Sequence, residues 1–252
     1  MEFVEGDMRI WVNGAGGFIG SSLVRAGAEA LPDLDMVDPG DTVIDCAWRY
    51  DPQSWRNDPE NTKSAALAMA RHELWLRSGV MVIGIGSSAE YFENNTYTQA
   101  KRAVMNHGLE CDNQLFTWAR LFYPFGPGQP PMRLFPTIVR ELRAGLFSPH
   151  KPLNVCSFTP VDTVADCLID LAHNPNPDDI VDIAGEPMSV LELATLTQVA
   201  LKSRGIRSHI LATSHDTDYE ISDRPYKPIR LRYPTTATAI SHYIDQIISE
   251  DP

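Results

Sequence analysis

Apolar runs alternate with amphipathic stretches along the first half of the chain. "RIWVNGAGG" (9–17) reads as a buried strand running into a glycine turn, and "FIGSSLVRAGAEAL" (18–31) as the helix after it. "DTVIDCAW" (41–48) is a second apolar strand, "NTKSAALAMARHELWLRSG" (61–79) a long helix ending at Gly79, and "VMVIGIGSS" (80–88) a third strand. That third run is apolar on both faces, as strands of a parallel sheet between helix layers are. "YTQAKRAVMNHGL" (97–109) has helical spacing and "LFTWARLFY" (115–123) is strand-like. Strands alternating with helices predict an α/β fold built on a doubly wound parallel sheet.

The character changes after "PFGPGQPPM" (124–132). "RLFPTIVRELRAGL", "VDTVADCLIDLAHN" and "SVLELATLTQVALKSRG" have helical periodicity and are separated by short strands such as "IVDIAG" and "SHILAT". Ser189 and Glu192 have the spacing of a capping box. The pattern therefore predicts a first domain over 1–130 and a smaller α/β lobe over 131–252, with the chain free to cross back between them.

"NGAGGFIG" spaces Gly14, Gly17 and Gly20 three apart; Ile19 stands where a GxGxxG pattern would have its last glycine. Glycine permits the tight turn and lets backbone approach a pyrophosphate, and the following helix offers free N–H groups, here of Phe18, Ile19 and Gly20. Such a turn can also bind nothing. Tyr97 and Lys101 are four apart, so they share one helix face. A neighbouring ammonium favours a phenolate, and a tyrosine so tuned can pass a proton to or from a carbonyl or alcohol oxygen. YxxxK alone is common by chance. Ser88, at a strand's C-terminal end, is the group that would bind the same oxygen, because ligands of open α/β sheets bind at those ends.

Several segments, in order along nearly the whole chain, resemble the extended short-chain dehydrogenase/reductase family, in particular its nucleotide-sugar epimerases and 4-ketoreductases. They are "NGAGGFIG", "DTVIDCAW", "GSSAEY", "YTQAK", "ARLFYPFGPGQ", "FTPVDTVAD" and "VDIAGEPMSVLELA". The resemblance implies a Rossmann-like fold and an NAD or NADP cofactor on Gly14, Gly17, Phe18, Ile19 and Gly20. It implies a catalytic trio of Ser88, Tyr97 and Lys101, with Lys101 also holding the nicotinamide ribose, and a nucleotide-sugar-like substrate. It also implies a homodimer formed through the helices at 61–78 and 97–110.

The departures from that pattern are informative. Where the family has strand, helix and strand, this chain has only "PDLDMVDPGD" (32–41), so the sheet is expected to lack two strands on the adenosine side. Asp35 and Asp38 stand at the distance from Gly14 suited to a ribose 2′-hydroxyl, or are plain loop carboxylates. The link "AEYFENNT" is short, which implies an open site. Tyr123 replaces an asparagine that commonly touches substrate, and Cys156-Ser157 stand where an arginine is expected. Ser88-Ala89-Glu90 lacks the aspartate of the dehydratase branch, which favours ketone reduction or epimerisation. Arg133, Arg224 and Arg230 are candidate diphosphate contacts beside the bland reading of surface arginines. Trp11, Trp48 and Trp75 read as packing, and Asn61 as a helix N-cap.

Composition narrows the classes further. The 252 residues are 43% hydrophobic with a net charge of −12, which argues against nucleic acid and anionic membrane surfaces as partners. The start "MEFVEGDMR" lacks a basic and an apolar signal region, and no apolar run is long enough for a bilayer, so a cytoplasmic protein is expected. Four cysteines and seven histidines show no ligand spacing, and no metal is expected. Two further classes remain beside an NAD(P)-dependent oxidoreductase or epimerase. One is a cofactor-independent lyase, isomerase or cyclase using the same Tyr/Lys pair; the other is a non-catalytic binding module.

Overall fold

A computed structural model describes residues 8–49, 53–112, 114–175, 179–211 and 236–250. In chain order the elements are β1 (Ile10–Asn13), α1 (Phe18–Arg25), β2 (Glu29–Ala30), a 3-10 turn (Leu34–Met36), β3 (Thr42–Asp45), α2 (Glu60–Arg77) and β4 (Met81–Ser87). Next come α3 (Ala89–Phe92), α4 (Thr96–Cys111), β5 (Phe116–Leu121), β6 (Pro124–Phe125), α5 (Leu134–Arg143), β7 (Leu146–Phe147) and β8 (Val155–Pro160). Then follow α6 (Val161–His173), β9 (Ile180–Ile183), β10 (Glu186–Ser189), α7 (Val190–Lys202), β11 (His209–Ile210) and α8 (Thr236–Glu250).

The chain divides into two compact units, one of residues 1–121 and 164–182, the other of 122–163 and 183–252. The first is built on a six-stranded sheet of order β2-β1-β3-β4-β5-β9, in which β1 pairs in parallel with β2 and β3, and β4 with β3 and β5. This is a Rossmann-like arrangement. The chain steps from β1 outward to β2 and then returns to the other side of β1 as β3. The crevice at the carboxyl ends of β1 and β3 is therefore the switch point, where such sheets take ligands.

Burial follows from the pattern. Every residue of β3 and β5 is buried, as in a strand covered on both faces. Helix α2 buries Ala65, Ala68, His72, Trp75 and Leu76, a stripe at helical spacing, and Trp75 is fully buried among Val80, Val82 and Trp118. In the second unit, β10, β8 and β6 form a small sheet and β11 pairs with β7. Ser189 and Glu192 make the expected capping box at the start of α7.

The edge beyond β1 is short, yet a strand remains there: Glu29–Ala30, which the pattern reads as helix, pairs in parallel with β1, so the expected loss of two strands is met only in part. It carries only the two exposed residues of β2, and "LDMV" forms a 3-10 turn in place of a strand. Asp41 staples this region: its carboxylate accepts from the Trp11 indole at 2.8 Å and from the backbone of Arg9 and Asp38.

Gly108, inside α4, measures how tightly this layer packs. An exposed helix glycine replaced by alanine gains about 1 kcal/mol. Here a Cβ would enter the van der Waals shell of the buried Phe116 ring. Overpacking of that kind costs about 1–3 kcal/mol. Gly108→Ala is therefore expected to lower stability despite its better helix propensity, read as a lower urea midpoint; an unchanged or higher midpoint would refute the packing argument.

Candidate functional site

The glycine turn closes at the switch point. Gly14 has φ +84°, and a Cβ on it would meet the Ala47 amide nitrogen at 2.8 Å, so the end of β1 lies directly against the residues following β3. A side chain on Gly20 would strike the Gly14 carbonyl. Gly17 N-caps α1 without a side-chain acceptor, and no described residue accepts from the N–H groups of Phe18 and Ile19. Space beside Gly16 is open. Unsatisfied donors at the positive end of a helix, reached over glycine backbone, fit a diphosphate.

Asp45, the last residue of β3, secures this rim. Its buried carboxylate accepts from Asn13 at 2.8 Å, Arg71 at 2.9 Å, His72 at 2.8 Å and the Ala47 amide at 3.2 Å. Burial alone would raise its pKa, but the hydrogen bond and charge of His72, and then Arg71, pull it down to about 2.

The Tyr/Lys turn is set by the start of α4. Asn95 caps the helix in a reciprocal box with Thr98, and the Thr98 hydroxyl also donates to the Glu93 carbonyl. Tyr97 thereby falls in the first turn and Lys101 one turn on, beneath β4. The Lys101 ammonium donates to the Ile85 carbonyl at 2.8 Å, two residues before Ser87 ends the strand. Its nitrogen lies 3.8 Å from the Trp48 ring centroid and 5.8 Å from that of Tyr97. Only 6% of Lys101 is exposed. Burial pushes its pKa down to about 8, against the raising effect of Glu90 and Asp45.

Trp48, Trp55 and Arg56 wall this pair. The Trp55 ring meets Tyr97 edge-on at 5.1 Å and Trp48 does so at 6.0 Å. Asn61 ties the Trp48 indole to the Trp55 backbone: it accepts from Trp48 Nε1 at 3.1 Å and donates to the Trp55 carbonyl at 2.7 Å. Arg56 stacks on Trp55 and forms a two-pronged ion pair with Glu93, while its carbonyl accepts from the Tyr97 amide. Two sequence expectations change here. Trp48 is not simple core packing but lies over an ammonium. Asn61 is not the cap of α2, which falls at Pro59.

Ser88 follows β4 directly and opens α3, with its amide bonded to the Leu121 carbonyl at 3.1 Å. The turn is held by Glu90, whose buried carboxylate accepts from the Ser87 amide at 2.7 Å, the Trp118 indole at 3.0 Å and Arg120 at 3.2 Å. Arg120 also donates to the Tyr91 hydroxyl at 2.6 Å, and that hydroxyl donates to Asp182. Burial, with Asp182 adding to it, raises the Tyr91 pKa to about 12. Ser88 thus follows the strand whose Ile85 carbonyl holds Lys101, with the Tyr97 ring 5.8 Å from that amine.

The other sequence candidates scatter. Asp35 is exposed on the 3-10 turn, and Asp38 pairs with Arg9. Tyr123 and Arg133 belong to the second unit. Tyr123 takes φ +40°, a left-handed conformation that costs a non-glycine residue about 1–2 kcal/mol, and packs edge-on against Phe158. Arg133 caps α5. Arg224 and Arg230 lie outside the described residues. A cleft of about 510 Å³ in the second unit, lined by Gln129, Phe135, Pro136, Val139, Arg140 and Ile247 among others, involves none of the predicted residues.

No protein-family model and no curated protein matches the sequence. Solved structures do match in fold. One is MoeE5 in complex with UDP-glucose and NAD, 21% identical with a TM-score of 0.69 over 96% of this chain and 99% of that one. A second is UDP-N-acetylglucosamine 4-epimerase from Bacillus cereus, 14% identical with a TM-score of 0.76 over 98% of both chains. A third is RMD from Pseudomonas aeruginosa complexed with NADPH, 16% identical with a TM-score of 0.74 over 96% of this chain and 98% of that one. The fold is thus shared, nearly end to end, with NAD-dependent nucleotide-sugar epimerases and their structural kin.

Burial of Lys101 has a measurable consequence. Its folded-state pKa of about 8 lies below the ordinary 10.5, so between those values the unfolded chain binds more protons and stability rises with pH. The full shift corresponds to about 3 kcal/mol. Lys101→Met removes this contribution. Urea denaturation between pH 7.5 and 10.5 is expected to show wild type gaining on the variant by roughly that amount; a constant gap would mean that the amine ionises as freely folded as unfolded.

Proposed function

We propose that the protein is an NAD(P)-dependent enzyme acting on a nucleotide-linked sugar, reducing a ketone or epimerising an alcohol, with Tyr97 as acid/base. One observation carries the reading. Gly14 lies against the Ala47 amide and the next residue, Trp48, lies on Lys101, so the diphosphate corner and the Tyr97–Lys101 turn meet at one strand end. The Phe18 and Ile19 amides would hold the diphosphate of the dinucleotide. A bound nicotinamide would give or take the hydride. Tyr97 would pass the proton at the substrate oxygen, Ser88 would orient that oxygen, and the Lys101 charge would favour the phenolate. Tyr123 and Arg133 remain candidates for substrate contact.

Glu90 bears on the reaction type. Both of its carboxylate oxygens are engaged, one by the Ser87 amide and the other by Trp118 and Arg120, which gives it a holding role and supports reduction or epimerisation over dehydration. Complexes of similar folds with UDP-glucose and NAD, and with NADPH, support the substrate and cofactor classes. Exposed Leu67 and Leu74 on the outer face of α2 support a homodimer through α2 and α4. No helix among the described residues is long and apolar enough to cross a membrane.

A second reading, proton transfer without nicotinamide, draws support from the covered state of Lys101. Calorimetric titration with NAD⁺, NADH, NADP⁺ and NADPH separates the two: binding of at least one in the micromolar range is expected. Silence of all four at millimolar concentration would overturn the nicotinamide reading. In either, Tyr97→Phe is expected to lower turnover by about 10²–10⁴-fold, the range for a lost general acid/base, and near wild-type turnover would remove Tyr97 from the chemistry.

A further inference from the structure

Lys101 is already spoken for on most of its sides. One N–H goes to the Ile85 carbonyl at 2.8 Å, and the Trp48 ring lies 3.8 Å from the nitrogen. Tyr97 and Trp118 rings stand at 5.8 and 5.9 Å. The residue is 6% exposed, so a ligand hydroxyl, which must come within about 3 Å to bond, cannot reach the amine past the indole. The indole is not loosely placed. Its Nε1 is tethered to Asn61, which is 3% exposed and fixed in turn on the Trp55 carbonyl.

The diphosphate corner carries no such cover. Space beside Gly16 is open, and the Phe18 and Ile19 amides have no acceptor among the described residues. The two ends of the site therefore differ in readiness: one is preformed, and the other is filled by a side chain of the protein itself.

Resting on the dinucleotide reading above, we propose that Trp48 is a specificity-determining residue of the cofactor site. With the indole on Lys101, the site accepts an adenosine diphosphate moiety. It admits the ribose and ring of the second half only when the indole is displaced. Displacement gives up a cation–π contact and the bond to Asn61, so the full dinucleotide binds more weakly than its contacts alone would allow, by about tenfold or more. A ligand that stops at the diphosphate incurs no such loss.

The test compares ADP with NAD⁺ on the full chain by calorimetry, in wild type and Trp48→Ala. ADP affinity is expected to be the same in both proteins, which also reports that the variant is folded. NAD⁺ affinity is expected to rise about tenfold in Trp48→Ala. In wild type labelled with ¹⁵N at the indoles, the Trp48 Nε1–H resonance, assigned by its loss in Trp48→Phe, is expected to shift with NAD⁺ and not with ADP. Equal or weaker NAD⁺ binding by a variant that still binds ADP overturns the proposal. So does a Trp48 resonance that stays fixed with NAD⁺ bound, and this second measurement decides the matter should Trp48→Ala fail to fold. Wild type that binds neither ligand ends the dinucleotide reading itself, and the gating role with it.

Discussion

A positive charge is buried beneath the carboxyl end of β4, and much of the first unit is arranged to tolerate it. Removing an ammonium from water is expensive unless dipoles, aromatic faces or opposite charges replace the solvent. Lys101 receives all three: the Ile85 carbonyl, the Trp48 ring, and the nearby carboxylates of Glu90 and Asp45. Each of these is held by something else. Trp48 is tethered by Asn61, Glu90 by Arg120 and the Ser87 amide, and Asp45 by His72 and Arg71. The start of α4, the loop before α2 and the ends of three strands are thereby fixed around one amine.

The second buried set, Glu90–Arg120–Tyr91–Asp182, joins α3, β5 and β9. Arg120 lies between the buried carboxylates of Glu90 and Asp182, with the neutral Tyr91 hydroxyl bonded to Arg120 and Asp182, so deleting the guanidinium would strand its partners; such losses are of the order of 3–5 kcal/mol. Gly86 belongs to the same design, because a Cβ there would meet the Glu90 carboxylate and the Trp118 indole. This set holds the turn that carries Ser88 on a framework, as Asp45, bonded to Asn13, His72 and the Ala47 amide, holds the glycine corner.

The edge beyond β1 shows how little sheet the corner needs. The edge consists of a two-residue β2 and one 3-10 turn, and Asp41, bonded to Trp11, Arg9 and Asp38, fastens it. The switch point survives because it depends on β1 and β3, not on strands farther out.

The sequence by itself determined what depends on near neighbours. Strand and helix periods, the Gly14–Gly20 turn, the Ser189–Glu192 cap and the Tyr97–Lys101 spacing each involve residues a few positions apart, so local geometry fixes them. The brevity of the connection between α1 and β3 was legible as a length. Only the tertiary structure decided what Trp48, Asn61 and Glu90 do. Asn61 is 13 residues from Trp48, Glu90 is 30 from Arg120, and Tyr91 is 91 from Asp182. Hydrophobic patterning marks a tryptophan as something to bury, yet it cannot say whether the indole will meet a leucine or an ammonium. That choice is made when the loop folds back over α4 and the buried charge finds the nearest aromatic face.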